Sequence, residues 1–197
     1  MILLLAVFAG LIAGGARAII FRRELQVPSI RLVWLAAAAF IPQAFVFSLP
    51  TRYRFTPEIA SGILIVTQFL LLLFVLLNGR LPGFWLLGLG LAMNMLVIGL
   101  NRGLMPISPE TITRRSDAVP PSAYTVGERL GYGKDVVLRP EDTRLEILAD
   151  RFVTPSWFPE HFAFSLGDIV LALGMIWFLW SLGGPPVDAI KHTPPGG

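Results

Sequence analysis

Asp168 is the one acidic side chain inside a long apolar run, and three amides, Gln43, Gln68 and Asn94, lie inside three other such runs. Polar groups are costly to carry into lipid, so they face a protein interior, a cavity or another helix. Aspartate can serve as a general acid or base when a second carboxylate shares its water and proximity splits the two proton affinities. Asp142 and Asp150, between the fourth and fifth runs, are the candidates for that partner. A simpler reading of Asp168 stands beside this one. Ser165-Leu166-Gly167-Asp168 fits the S-x-x-[DE] capping box, in which Ser165 caps a helix and Asp168 reaches back. The helix dipole favours the ionised carboxylate there.

The elements that position these groups are five apolar segments, at about residues 2–21, 32–49, 60–77, 83–100 and 164–182. A helix needs about 20 residues to cross the ~30 Å hydrocarbon layer, and backbone groups in lipid must pair within their own segment or a closed barrel. The runs are too long and uniformly apolar for alternating barrel strands. The expected fold is therefore an all-α membrane protein, a five-helix transmembrane bundle. Gln43, Gln68 and Asn94 each fall six to eight residues inside one rim, roughly 10 Å deep at 1.5 Å per residue. With Asp168 and Asn101 they form a candidate binding or buried polar layer. Pro42 frees a carbonyl that Gln43 could re-satisfy. Gly10 and Gly14, and Gly88 and Ala92, have the small-xxx-small spacing of helix packing.

Composition agrees with this assignment. Of 197 residues 54% are hydrophobic and only 15% charged, against about 25% charged in soluble domains, and mean hydropathy is +0.68. The absence of cysteine excludes disulfides, a thiol nucleophile and thiolate metal sites. Two histidines, His161 and His192, have no ligand spacing, and there is no glycine-rich nucleotide loop, so neither metal nor cofactor is expected. The net charge of +3 is scattered at the ends of apolar segments. That distribution marks a lipid bilayer, with other membrane proteins as candidate partners, rather than nucleic acid.

With the N-terminus outside, six basic residues (Arg17, Arg22, Arg23, Arg31, Arg80 and Lys191) fall inside and two, Arg52 and Arg54, fall in the short outside loop. The positive-inside rule thus places the N-terminus outside and the C-terminus in the cytoplasm. Ala16-Arg17-Ala18 has the look of a cleavage site, but the arginines follow the apolar run rather than precede it, so a retained helix is expected. Residues 101–162 carry eight basic and nine acidic residues and form the expected small mixed extracytoplasmic cap. Within it, Ser108-Pro109-Glu110 reads as a helix start, Pro120-Pro121 as a turn, and Arg144–Leu148 as a short strand. Aromatics at Trp157 and Phe158 belong at the bilayer boundary. Residues 1–182 make one integral membrane domain, followed by a disordered cytoplasmic tail, 183–197.

Asn101-Arg102-Gly103-Leu104-Met105-Pro106-Ile107-Ser108, then Asp142-Thr143-Arg144-Leu145, then Phe164-Ser165-Leu166-Gly167-Asp168 resemble, in order and spacing, an uncharacterised bacterial membrane family known as domain of unknown function 5317. The resemblance runs from about Leu3 to Leu182 and implies a multi-pass protein of the bacterial inner membrane without implying an activity. A fainter similarity is to lipoprotein signal peptidases, aspartyl proteases whose second catalytic aspartate opens the last helix in a Phe-Asn-x-Ala-Asp pattern. Phe164–Asp168 is similar to that pattern, with Asp168 at the aspartate position, while Asn101-Arg102-Gly103-Leu104 stands at the first pattern without its aspartate, leaving Asp142 or Asp150 to supply it. Three functions remain: an accessory or small-ligand-binding membrane protein, ranked first; an aspartyl protease-like hydrolase; and a transporter lined by the polar layer.

Overall fold

The computed structural model describes residues 2–22, 24–115, 120 and 123–184. The expectations for Arg23, Pro121, Lys191, His192 and the tail beyond Gly184 fall outside them. The described residues are mostly helical, with two small sheets.

Five apolar helices stand side by side in the spatial order α2, α3, α4, α6, α1. They are α1 (Ile2–Ile20), α2 (Val33–Gln43), α3 (Pro57–Leu77), α4 (Phe84–Leu100) and α6 (Leu166–Ser181). Local chemistry sets their ends. Thr56 caps α3 by accepting from the Ile59 amide, with Pro57 at the first position. Gly83, at φ +78°, turns the chain into α4. Pro42 cannot donate to the helix ladder, and α2 continues past it as a widened π-helical turn, Ala44–Ser48.

Among the described residues, two helices, α1 and α3, are long and apolar enough to cross a membrane. The other three apolar helices, counting Val33–Ser48 as one, fall short by that length criterion. At 16 or 17 residues, α4 and α6 span about 25 Å, less than the ~30 Å hydrocarbon layer. Five full-length spans are therefore not what the helix lengths alone establish.

Small residues bring the helices together. A Cβ on Gly14 would collide with the Leu179 carbonyl, and one on Gly90 would lie 2.6 Å from the Gly167 carbonyl oxygen. Large apolar side chains point the other way: Ile12 is 73% exposed, Phe8 59% and Val66 58%.

The segment between α4 and α6 folds against the helix ends where α3 begins and α4 stops. Strand β1 (Met105–Ile107) pairs in parallel with β2 (Asp135–Val137), and β3 (Phe152–Val153) pairs antiparallel with β4 (Ala163–Phe164). Helix α5 (Pro109–Arg115) starts where the sequence indicates, with Ser108 Oγ accepting from the Thr111 amide. The strand expected at Arg144–Leu148 does not form. Leu145 adopts a left-handed φ of 55°, which ends any extended run and leads into a 3-10 turn at Glu146–Leu148. Leu64, Val97, Ile98, Met105 and Val136 form one buried cluster, so helices and cap share a core.

Candidate functional site

Asp168 sits in the first turn of α6, and both of its carboxylate oxygens are engaged. Oδ2 accepts from the Ser165 amide at 3.2 Å, while Ser165 Oγ accepts from the Asp168 amide at 3.1 Å, completing the capping box. Oδ1 accepts from Asn94 Nδ2 at 2.8 Å. The ring closes when Ser165 Oγ donates to Asn94 Oδ1 at 3.0 Å. Gly167 makes room for it, since a Cβ there would overlap the Asn94 amide. This network joins α4 to α6 and satisfies groups that are buried at Asn94 and Ser165.

Gln43 belongs to a different contact. Its Nε2 donates to Thr67 Oγ1 at 2.8 Å, across from α2 to α3. Thr67 in turn bonds to the Ile63 and Leu64 carbonyls of its own helix. Gln43 therefore serves a neighbouring helix, not the carbonyl freed by Pro42. Gln68 Oε1 is buried and has no hydrogen-bond partner among the described residues. Asn101 is buried at the end of α4, where Nδ2 donates to the Val97 and Arg144 carbonyls and Oδ1 accepts from the Arg144 amide. The expected single polar layer is thus divided: Asn94 and Asp168 meet, Gln43 pairs with Thr67, and Asn101 ties helix to cap.

A charged cluster lies beside these contacts. Asp150 is drawn inside because its amide donates to the Pro106 carbonyl in the middle of β1, and its side chain is 1% exposed. Lys134, whose carbonyl accepts from the Met105 amide, reaches Asp150 with Nζ 3.3 Å from Oδ2. Asp150 Oδ1 and Asp135 Oδ1 are buried without hydrogen-bond partners among the described residues. Burial pushes the Asp150 carboxyl up to about 7; the Lys134 ammonium opposes this, and the charges of Asp135 and Asp168 add to it. Burial works against the Lys134 charge, but Asp150, Asp168 and Asp135 outweigh it and hold the ammonium above its ordinary range. Burial also raises Asp135, while Lys134, Arg115 and Arg129 counteract it.

Of the two cap carboxylates expected to approach Asp168, Asp150 therefore comes within its electrostatic influence. Asp142 is exposed in a 3-10 turn, Pro140–Asp142. His161 is exposed as well. The Lys134 side chain, 41% exposed, faces a cavity of about 310 Å³. Phe40, Gln43, Ala44, Phe47, Ser48 and Leu64 line the rest of it. Four of these come from Gln43 and the π-helical turn. Sequence reasoning passed over Lys134 and Thr67. Lys134 had a signal, being the only lysine before the tail and followed directly by Asp135; Thr67 had none, since threonine is common in such helices.

A model of a family of unknown function (DUF5317) matches residues 28–180. No curated protein and no solved structure matches the chain. The fainter similarity to lipoprotein signal peptidases finds no support among these results.

Proposed function

Since the chain belongs to this family of unknown function, we propose that it is an integral membrane protein of five crossing helices that binds a small ligand or a partner without turning it over. The observation that carries the reading is the cavity beside the π-helical turn of α2, apolar on most sides and lined on one by Lys134, the ion-pair partner of Asp150. Its volume is at the lower end of the range of small-molecule sites, which runs from roughly 300 to 1,000 Å³.

The membrane half of the reading draws on large apolar side chains exposed along α1 and α3, a surface that water would not tolerate but lipid would. Arg17, Arg22, Arg31 and Arg80 gather at the helix ends away from the cap, as the positive-inside rule asks of a cytoplasmic face. On this reading residues 1–182 form the membrane domain, the cap is extracytoplasmic and residues 183–197 are cytoplasmic.

The chain has no native cysteine, so single cysteines test the topology directly. Glu141→Cys in the cap should react with an impermeant maleimide in intact bacterial cells, and Val27→Cys only after permeabilisation. The reverse pattern refutes the orientation. For the binding half, an organic extract of the purified wild type should contain a small molecule that Ala44→Phe, which fills the cavity, does not carry. Matching extracts refute it.

A second reading is an aspartyl protease-like hydrolase using Asp168 with Asp150. One observation favours it, the contribution of the Asp168 charge to the raised proton affinity of Asp150. The engagement of both Asp168 oxygens and the Lys134 partner of Asp150 weigh against it. Cleavage of a lipopeptide, lost in both Asp150→Asn and Asp168→Asn at unchanged abundance, would establish it.

A further inference from the structure

We infer, building on the membrane-embedded binding reading above, that the cavity between α2 and α3 seats one anionic lipid, whose headgroup oxygen accepts from Lys134 Nζ while an acyl chain lies along Phe40, Phe47 and Leu64. The ammonium carries three N–H donors, and its one ionic partner among the described residues is Asp150 Oδ2 at 3.3 Å. Asp150 is sealed at 1% exposure, whereas the Lys134 side chain is 41% exposed and lines the cavity on the side turned away from the carboxylate. An oxygen acceptor is what that side lacks.

The same wall carries a second cation. Arg129 Cζ lies 5.3 Å over the Phe47 ring, a cation–π arrangement. Its donors are committed to the carbonyls of Gly133, Tyr132, Phe55 and Val46. Arg129 thus contributes positive potential without being a ligand itself. A cationic ligand would meet Lys134 and Arg129 together. A neutral lipid would fill the apolar part and gain nothing from the ammonium. Proton uptake by Asp150, raised to about 7 by burial, weakens the negative charge behind Lys134.

Position selects lipid over a dissolved anion. Phe40 and Ser48 at the rim are exposed on the outer side of α2, and Ile41, Phe45 and Leu49 around them are exposed too. That side is the bilayer side of a crossing helix. The π-helical turn Ala44–Ser48 supplies the recess, because the extra residue displaces the helix wall where a regular turn would fill it.

Native mass spectrometry of the full chain in nanodiscs of mixed phosphatidylcholine and phosphatidylglycerol tests this. The wild type should retain one phosphatidylglycerol after collisional stripping. Lys134→Gln and Ala44→Phe should each lower its occupancy by about tenfold, the equivalent of 1.4 kcal/mol, and Lys134→Arg should keep it. Equal retention of the two lipids, or unchanged phosphatidylglycerol occupancy in both weakened variants, overturns the inference while the membrane reading stands. If Lys134→Gln does not fold, Ala44→Phe, which leaves the ion pair intact, decides alone. A wild-type chain that does not enter nanodiscs overturns the membrane reading and this inference with it.

Discussion

Asn94 and Asp168, 74 positions apart in sequence, are joined by a 2.8 Å hydrogen bond that fastens the middle of α4 to the first turn of α6. Because Ser165 closes the ring, the carboxylate acts at once as a helix cap and as an interhelical acceptor. Asp168→Asn keeps the shape but leaves a single oxygen to accept two bonds. It should cost about 1–2 kcal/mol, or a few degrees in Tm for a chain of this size. Thermal unfolding in detergent, followed by tryptophan fluorescence, checks this; an unchanged Tm would contradict the tie.

The neighbouring glycines of α1 should respond in opposite ways. Gly14→Ala drives a Cβ into the Leu179 carbonyl, so α1 must move away from α6, with a loss of roughly 1–3 kcal/mol. Gly15 has no atom within 4 Å of the same added carbon. Gly15→Ala should be neutral or stabilising by up to about 1 kcal/mol, since alanine is the better helix former. The two melting temperatures, compared side by side, give the answer.

Removing one end of the Gln43–Thr67 bond should hurt more than removing both. Thr67→Val strands the Gln43 amide in a half-buried place, costing about 1–2 kcal/mol. Adding Gln43→Leu to it should recover part of that loss, because no polar group is then left without a partner. A double-mutant cycle by thermal unfolding measures the coupling, and strictly additive losses would show that the bond contributes nothing.

Stability should fall as pH rises through the range set by Asp150. Its folded-state value, about 7, lies above the ordinary 3.8, so the folded chain holds this proton more tightly than the unfolded one. The contribution is complete below about pH 4 and is lost progressively by about pH 7. Lys134, Asp135 and Asp168 are the charged groups acting on it. Melting curves between pH 4 and 8 should slope downward, and Asp150→Asn should flatten them. A slope that survives the substitution would assign it to another group.

How far the molecule could be read from its residues follows from how local each signal is. The five apolar runs, the Ser165 cap and the Ser108-Pro109 helix start are governed by neighbours within a turn or two, and they stand where the sequence indicates, with ends shifted by a few residues. Arg144–Leu148 misled because alternation over five residues signals a strand, while one left-handed residue, Leu145, is enough to turn the chain. Depth along helices suggested one polar layer, yet depth says nothing about azimuth, and Gln43 and Asn94 face different partners.

The sequence by itself determined that this chain is a set of apolar helices with one charged segment between the last two, because hydrophobicity and charge are properties of residue types. Only the tertiary structure decided that Asp150 rather than Asp142 is drawn in, and that Lys134 meets it at the edge of a cavity. Those outcomes depend on β1 lying between β2 and Asp150, which bridges to Ile107 while the Pro106 carbonyl takes the Asp150 amide. Residues far apart in the chain are brought together there by backbone pairing, and no local pattern of side chains encodes which carboxylate will be buried.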